Sequence, residues 1–364
     1  MEKLRVGIIG ATGMVGQRFI SLLADHPWFQ INCLAASARS AGKTYREAVG
    51  ERWAFDWPIP AAAADMKVMD AADIDGVSEK VDFVFCAVDM KKEEIRALEE
   101  SYARHEIPVV SNNSACRGIE DVPMVVPEIN ASHLEVIATQ RKRLGSTHGF
   151  IAVKPNCSIQ SYVPALTPLL DFGPTEVSVC TYQAISGAGK TFKTWPEMVD
   201  KVRGQRSEDE KSEQEPLKLW GTVKDLGRGP VIVNAEKPVI SAQCLRVAAS
   251  DGHMAAVSVR FAEKVTKEQI LERWANYETE AQRLELPSAP KPFLQYFEDP
   301  SRPQTRLDRD FQRGFGISIG RLREDRIFDW RFVCLSHNTI RGAAGGGILT
   351  AELLCRKGYL TPRK

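Results

Sequence analysis

The first turn of the chain constrains the fold more than any other feature. Leu4 to Ile9 is a short apolar run that passes straight into Gly10-Ala11-Thr12-Gly13-Met14-Val15-Gly16, where a helical pattern reaching Ala24 begins. An apolar strand, a turn with glycines three apart and then a helix let the backbone approach a pyrophosphate, with the helix N-terminus facing its charge. The candidate dinucleotide contacts are Gly10, Thr12, Gly13, Met14 and Val15. Such a turn belongs at the edge of a parallel sheet. Further apolar runs at Ile31 to Ala36, Val81 to Ala87 and Ile107 to Ser111, with a helical stretch at Lys91 to Arg104, predict a doubly wound, Rossmann-type parallel sheet. After the second strand comes Ser37-Ala38-Arg39-Ser40-Ala41-Gly42-Lys43. An NAD site would usually place an acidic residue there for the ribose hydroxyls. Ser37, Arg39 and Ser40 instead suit a 2′-phosphate, so the cofactor expected is NADP.

The second half follows a different pattern. Strand-like segments at Glu176 to Ile185, Val239 to Ala248, Met254 to Phe261 and Ile327 to Leu335 surround helical stretches at Lys193 to Val202 and Lys267 to Arg283. This predicts an α+β unit with a mixed or antiparallel sheet covered on one side. Pro287 to Arg309, rich in proline and charge, reads as a long excursion. Asn338 to Arg356 is small and apolar enough for a helix returning to the first unit. The expected division is therefore a nucleotide-binding domain over 1–155, a catalytic and dimerisation domain over 156–337, and a C-terminal helix within 338–364 that packs back. A chain of 364 residues can bury two such cores.

Composition removes several classes of function. A formal net charge of +1 gives no nucleic-acid footprint. Eight cysteines without CxxC pairs or His-rich spacing suggest neither a zinc site nor a disulfide framework, and reduced thiols fit the cytoplasm. No charge-free apolar run is long enough to span a membrane, and Met1 to Arg5 lead directly into the first strand pattern, with no room for a signal peptide.

The chemistry centres on Lys154-Pro155-Asn156-Cys157-Ser158-Ile159-Gln160. Phe150 to Val153 reads as a buried strand that Pro155 ends. Ile159 to Leu170 then suits a helix interrupted by Pro164 and Pro168. Asn156 would cap that helix. Cys157 in its first turn would face unpaired N–H groups that favour thiolate and can hold an oxyanion. The competing reading is a buried free cysteine acting as a small hydrophobe.

Several separate motifs in order resemble aspartate-semialdehyde dehydrogenase, in the branch found in archaea, fungi and some bacteria. They are Gly10 to Phe19, Ser37 to Lys43, Asn156-Cys157-Ser158, Gln183-Ala184-Ile185-Ser186-Gly187-Ala188-Gly189, Asp251-Gly252-His253 and Leu335-Ser336-His337-Asn338-Thr339. The resemblance implies that Cys157 is the acyl-accepting nucleophile, His253 its acid/base partner and Gln160 an aid to substrate orientation. It implies that Arg246 binds the substrate α-carboxylate, Glu208 its ammonium, and Lys211, Asn113 and Arg117 its phosphate. Ser186, Gly187, Gly189 and Asn338 would meet the cofactor. One departure stands out: Val202-Arg203-Gly204-Gln205-Arg206-Ser207 replaces the proline and paired glycines expected before Glu208.

The reaction implied is NADPH-dependent reductive dephosphorylation of L-aspartyl 4-phosphate to L-aspartate 4-semialdehyde through a Cys157 thioester, serving lysine, methionine and threonine synthesis. A homodimer or homotetramer and a small-molecule substrate follow from the same likeness. An acyl-CoA reductase such as a malonyl-CoA reductase would keep the thiol, histidine and NADP site with another leaving group. N-acetyl-glutamyl-phosphate reductase has a related layout, but with a Gly-Cys-Tyr context around its cysteine. A non-catalytic NADP sensor would keep only the glycine turn.

Overall fold

The structure is a computed structural model and describes residues 2–363. Strands β1 (Leu4–Ile9), β2 (Phe29–Ala36), β3 (Val68–Asp70), β4 (Phe83–Cys86), β5 (Val109–Ser111) and β6 (Ile151–Val153) form one sheet in the order β3-β2-β1-β4-β5-β6. Every neighbouring pair in it is parallel, as the alternating pattern predicts. The strands read as near-continuous apolar runs because helices cover both faces. Gly10 ends β1 at φ +88°, and a Cβ there would press on the Ala87 carbonyl, so the turn admits only glycine.

The second sheet holds β7 (Pro174–Gln183), β8 (Arg203–Gly204), β11 (Val239–Arg246), β12 (His253–Phe261), β13 (Leu294–Phe297), β14 (Ile317–Glu324) and β15 (Trp330–Ser336). Its order is β13-β14-β15-β12-β7-β11-β8, and it mixes parallel with antiparallel pairs. A separate hairpin joins β9 (Thr222–Asp225) to β10 (Pro230–Val233). Burial alternates along β12 and, from Val177 onward, along β7, the mark of a sheet with one face on the core and one left open. Tyr182 and Val239 stand on that open face.

Several elements differ from expectation. Lys193 to Val202 forms only a 3₁₀ turn at Pro196–Asp200, because Thr191 and Thr194 bond each other's backbone and Pro196 cannot continue a preceding helix. Lys267 to Arg283 is two helices, Lys267–Ala275 and Glu280–Arg283, each opened by its own Thr and Gln capping box. The Pro287 to Arg309 excursion contains the edge strand β13, paired with β14.

The acidic run from Arg206 to Leu219 is a helix despite the internal Pro216. Proline removes the N–H that would bond the Ser212 carbonyl, and the Tyr162 hydroxyl takes that acceptor at 2.6 Å. At the other end of the chain, a π turn at Ile340–Ala344 leads into the helix Gly345–Arg356, whose Gly347 lies against Phe19 of the first helix, Met14–Leu23.

Candidate active site

β6 stops at Val153, and the chain turns through Asn156 into a three-residue 3₁₀ turn, Ser158–Gln160, with Cys157 as the flanking residue before it. The long helix expected after Cys157 is replaced by this turn, a four-residue helix Val163–Leu166 and a further 3₁₀ stretch Thr167–Phe172, since Pro164 and Pro168 deny two successive turns their donors. So short a turn supplies little dipole. Asn156 Oδ1 accepts from the Ser158 N–H and hydroxyl, and Glu215 takes the Asn156 N–H. Two of the N–H groups expected to hold an oxyanion are therefore already engaged. Burial and Glu208 push the Cys157 thiol up rather than down.

His253 is the first residue of β12 and is fully buried. Its Nε2 lies 3.4 Å from Cys157 Sγ, while Nδ1 accepts the Ala184 N–H at 3.0 Å. That backbone bond assigns the proton of the neutral ring to Nε2, facing the sulfur. Burial, with Arg246 and His337 acting in the same direction, holds the imidazole pKa well below its usual value, so the ring is neutral. Gly187 covers the pair. A Cβ on it would lie 2.8 Å from Arg246 Nη1 and 2.9 Å from His253 Nε2.

Beside Cys157 is a cavity of about 260 Å³ between the glycine turn and the mixed sheet, with Met14, Val15, Ser186, Gly187, Gly189 and Asn338 among its lining residues. Asn338 ties two loops together, accepting the Gly252 N–H at 2.8 Å and donating to Ser186 Oγ at 2.8 Å. Arg117, Lys154, Lys211 and Arg246 also line the cavity. Arg117 pairs with Glu215 at 2.8 Å, and Lys211 with Glu208 at 2.6 Å. Arg117, Lys211 and Arg246 against these two carboxylates already leave an excess of positive charge, to which Lys154 adds when protonated, and this suits a substrate that is anionic overall. The exposed Ser37 and Arg39 and the buried Ser40 form a turn directly after β2, beside the strand that carries the glycine turn. The Thr12 carbonyl accepts from Gln17 Nε2 at 3.0 Å, which ties the glycine turn to the helix it opens. A thiol backed by an imidazole, in a cation-lined cavity at the mouth of a dinucleotide turn, can carry out acyl transfer coupled to hydride transfer.

Residues 5–137 match the family description "Semialdehyde dehydrogenase, NAD binding domain", and residues 166–341 match "Semialdehyde dehydrogenase, dimerisation domain". The aspartate-semialdehyde dehydrogenase of Schizosaccharomyces pombe is 43% identical over 362 residues, covering 98% of this chain and 99% of its own. That of Archaeoglobus fulgidus is 41% identical over 358 residues, covering 97% and 98%. The chain belongs to the aspartate-semialdehyde dehydrogenase family. The crystal structure of aspartate semialdehyde dehydrogenase with NADP from Candida albicans superposes with a TM-score of 0.87 at 36% identity, covering 98% of this chain and all of that one.

Among the residues expected from the family likeness, Cys157, Arg246, Glu208, Lys211 and Arg117 line one cavity, and His253 lies buried behind Cys157 with Nε2 on its sulfur. The unusual approach to Glu208 is held in place by pairing: β8 is antiparallel to β11, with Arg203 opposite Arg246, and the Gln205 N–H bonds the Cys244 carbonyl. Glu208 thus reaches Asn156 Nδ2 at 2.6 Å. Two residues are not among those lining the cavity. Gln160 is buried with Oε1 accepting from Arg341 Nε at 3.1 Å. Asn113 Nδ2 donates to Glu99 and to Cys86 Sγ, while its neighbours Asn112 and Ser114 line the cavity.

Other residues emerge only from the structure. Gln183 ends β7 opposite Arg246, fully buried with Oε1 unpartnered. Glu215 joins Arg117 to the turn that carries Cys157. Lys218 donates three bonds to the carbonyls of Arg117, Ile119 and Val122 and so holds the Arg117 loop. Glu208, Lys211, Glu215 and Lys218 follow one another at spacings of three and four, which places them on one helix face. Among the described residues no cluster of His, Cys, Asp and Glu gathers as a metal site, and no helix is long and apolar enough to cross a membrane.

Proposed function

We propose that this chain is an NADP-dependent aspartate-semialdehyde dehydrogenase that reduces L-aspartyl 4-phosphate to L-aspartate 4-semialdehyde and phosphate. The observation that carries this reading is Cys157, backed by the buried His253, in a cation-lined cavity that opens onto the glycine turn. Arg246 takes the α-carboxylate and Glu208 the ammonium, which orients the acyl phosphate. Cys157 Sγ attacks the acyl carbon, forming a thioester as the C–O bond to phosphate breaks. Arg117 and Lys211 receive the departing phosphate charge. Glycines 10, 13, 187 and 189, with Ser186 and Asn338, would hold the cofactor, and Ser37, Arg39 and Ser40 its 2′-phosphate. When bound, the dihydronicotinamide supplies the hydride that reduces the thioester carbonyl. The Nε2–H of the neutral His253 hydrogen-bonds that carbonyl oxygen as negative charge develops, and the oxyanion adduct then collapses to aldehyde and Cys157 thiolate with the proton still on the ring.

The test is NADP⁺ reduction with L-aspartate 4-semialdehyde and phosphate at alkaline pH, run beside NADPH oxidation with malonyl-CoA. Phosphate-dependent turnover of the semialdehyde is expected. Turnover with the CoA thioester alone would replace this reading. Gly187→Ala is expected to lower kcat/KM by roughly 10²-fold with little change in thermal midpoint, since the new methyl displaces Arg246 and His253 by a fraction of an ångström to an ångström. Unchanged kinetics would remove Gly187 from the machinery.

The chain forms an oligomer through its dimerisation domain, and the open face of the mixed sheet is where we place the two-fold contact. Tyr182→Asp, which puts a charge on that face, is expected to halve the mass measured by light scattering. An unchanged mass would place the contact elsewhere. Eight thiols with no disulfide suit a reducing cytoplasm.

A further inference from the structure

The charged groups around the cavity are unevenly paired. Arg117 and Lys211 each have a carboxylate, and Arg246 gives Nη1 to the Ala184 carbonyl. Lys154 is 3% exposed, and its ammonium donates to a neutral group, the Pro155 carbonyl. An ammonium removed from water and bound only by a carbonyl is costly, and an anion beside it offsets much of that cost. Lys154 and Cys157 line the same cavity. One glycine-rich segment covers both, with Gly342 against Cys157 and Gly346 against the Lys154 side chain at Cδ. The neutral His253, whose Nε2 proton already faces the sulfur, cannot be the cation that a thiolate there requires.

We propose that Lys154 is the counter-cation of the Cys157 sulfur, a positioning residue that keeps the thiolate accessible in a cavity largely closed to water. The proposal rests on Cys157 being the nucleophile and adds how the nucleophile is charged. Burial disfavours the charged form of both groups, and among the neighbours that oppose this at each one the other member of the pair comes first. Burial lowers Lys154 to about 7, with Arg117 and Arg341 acting the same way and Cys157 and Glu215 opposing. At the thiol, burial and Glu208 oppose ionisation, while Lys154 leads the groups that favour it, ahead of Arg246 and Arg117.

The experiment is the pH dependence of Cys157 alkylation by iodoacetamide in the full-length protein, read by the mass of the Cys157 peptide. In Lys154→Met the titration midpoint is expected to rise by about one pH unit, making alkylation about tenfold slower below it. Lys154→Arg is expected to stay near the wild type. An unchanged midpoint in a Lys154→Met protein that still binds NADPH overturns the proposal, and a raised KM for phosphate with that unchanged midpoint would make Lys154 a phosphate ligand instead. Should Lys154→Met fail to fold, the reciprocal measurement uses lysine labelled with ¹³C at Cε, the Lys154 resonance being assigned from Lys154→Arg. Its midpoint is expected to fall in Cys157→Ser, and no shift overturns the proposal. Neither measurement requires turnover, so a failed substrate assay and a failed proposal are told apart.

Discussion

Cys157→Ser is expected to lower kcat on the order of 10⁴-fold or more while NADPH still binds. The hydroxyl has nearly the size of the thiol, so the turn bounded by Asn156, Glu215 and Gly342 has no reason to move. What is lost is a nucleophile that ionises. His253→Ala is expected to cost less, roughly 10²- to 10⁴-fold, because it removes a hydrogen-bond donor to the developing oxyanion and leaves the thioester route open. The pH profile carries the same argument. Burial and Glu208 raise the thiol pKa. The reactive thiolate therefore grows with rising pH, and kcat/KM should climb across the alkaline range. His253 stays neutral throughout because its own pKa is held low. Stopped-flow measurement of NADPH oxidation checks both. A serine variant within tenfold of wild type would sink the covalent route.

The glycine turn, the alternating strands and the thiol after β6 were all legible in the sequence, because each depends on local rules of backbone geometry and hydrophobic period. Residues whose direction is set by tertiary contacts were not. Gln160 and Asn113 sit one turn or one position from the site, and buried partners decide where they point: Arg341 takes Gln160, and Glu99 takes Asn113. The helix Arg206–Leu219 misleads for a related reason. Its inward face is charged, with Glu208, Lys211, Glu215 and Lys218 at helical spacing, so a search for an apolar stripe reads it as solvated. The spacing was in the sequence, but its partners, the Asn156 turn and the carbonyls at Arg117, Ile119 and Val122, are 52 to 101 residues away along the chain.

The largest stability effect is expected at a pair that neither spacing nor motif suggested. Arg341 is 1% exposed, with Nη2 2.8 Å from Glu128 Oε2 and Nη1 on the other oxygen, and its guanidinium lies over the Phe293 ring. Arg341→Met leaves the Glu128 carboxylate buried and without a counter-charge, which should cost about 3–5 kcal/mol in urea unfolding at a fixed protomer concentration. Adding Glu128→Leu removes the stranded charge, so the double variant should recover most of that loss. A single variant that costs under about 1 kcal/mol would mean that water reaches the pair. Activity should not recover alongside stability. Arg341 holds Gln160 and is the neighbour of Gly342, which rests on Cys157, so a double variant that folds well still has a loosened nucleophile turn. It should show kcat reduced by more than KM is raised, the pattern of a reacting atom held less firmly rather than a substrate held less tightly.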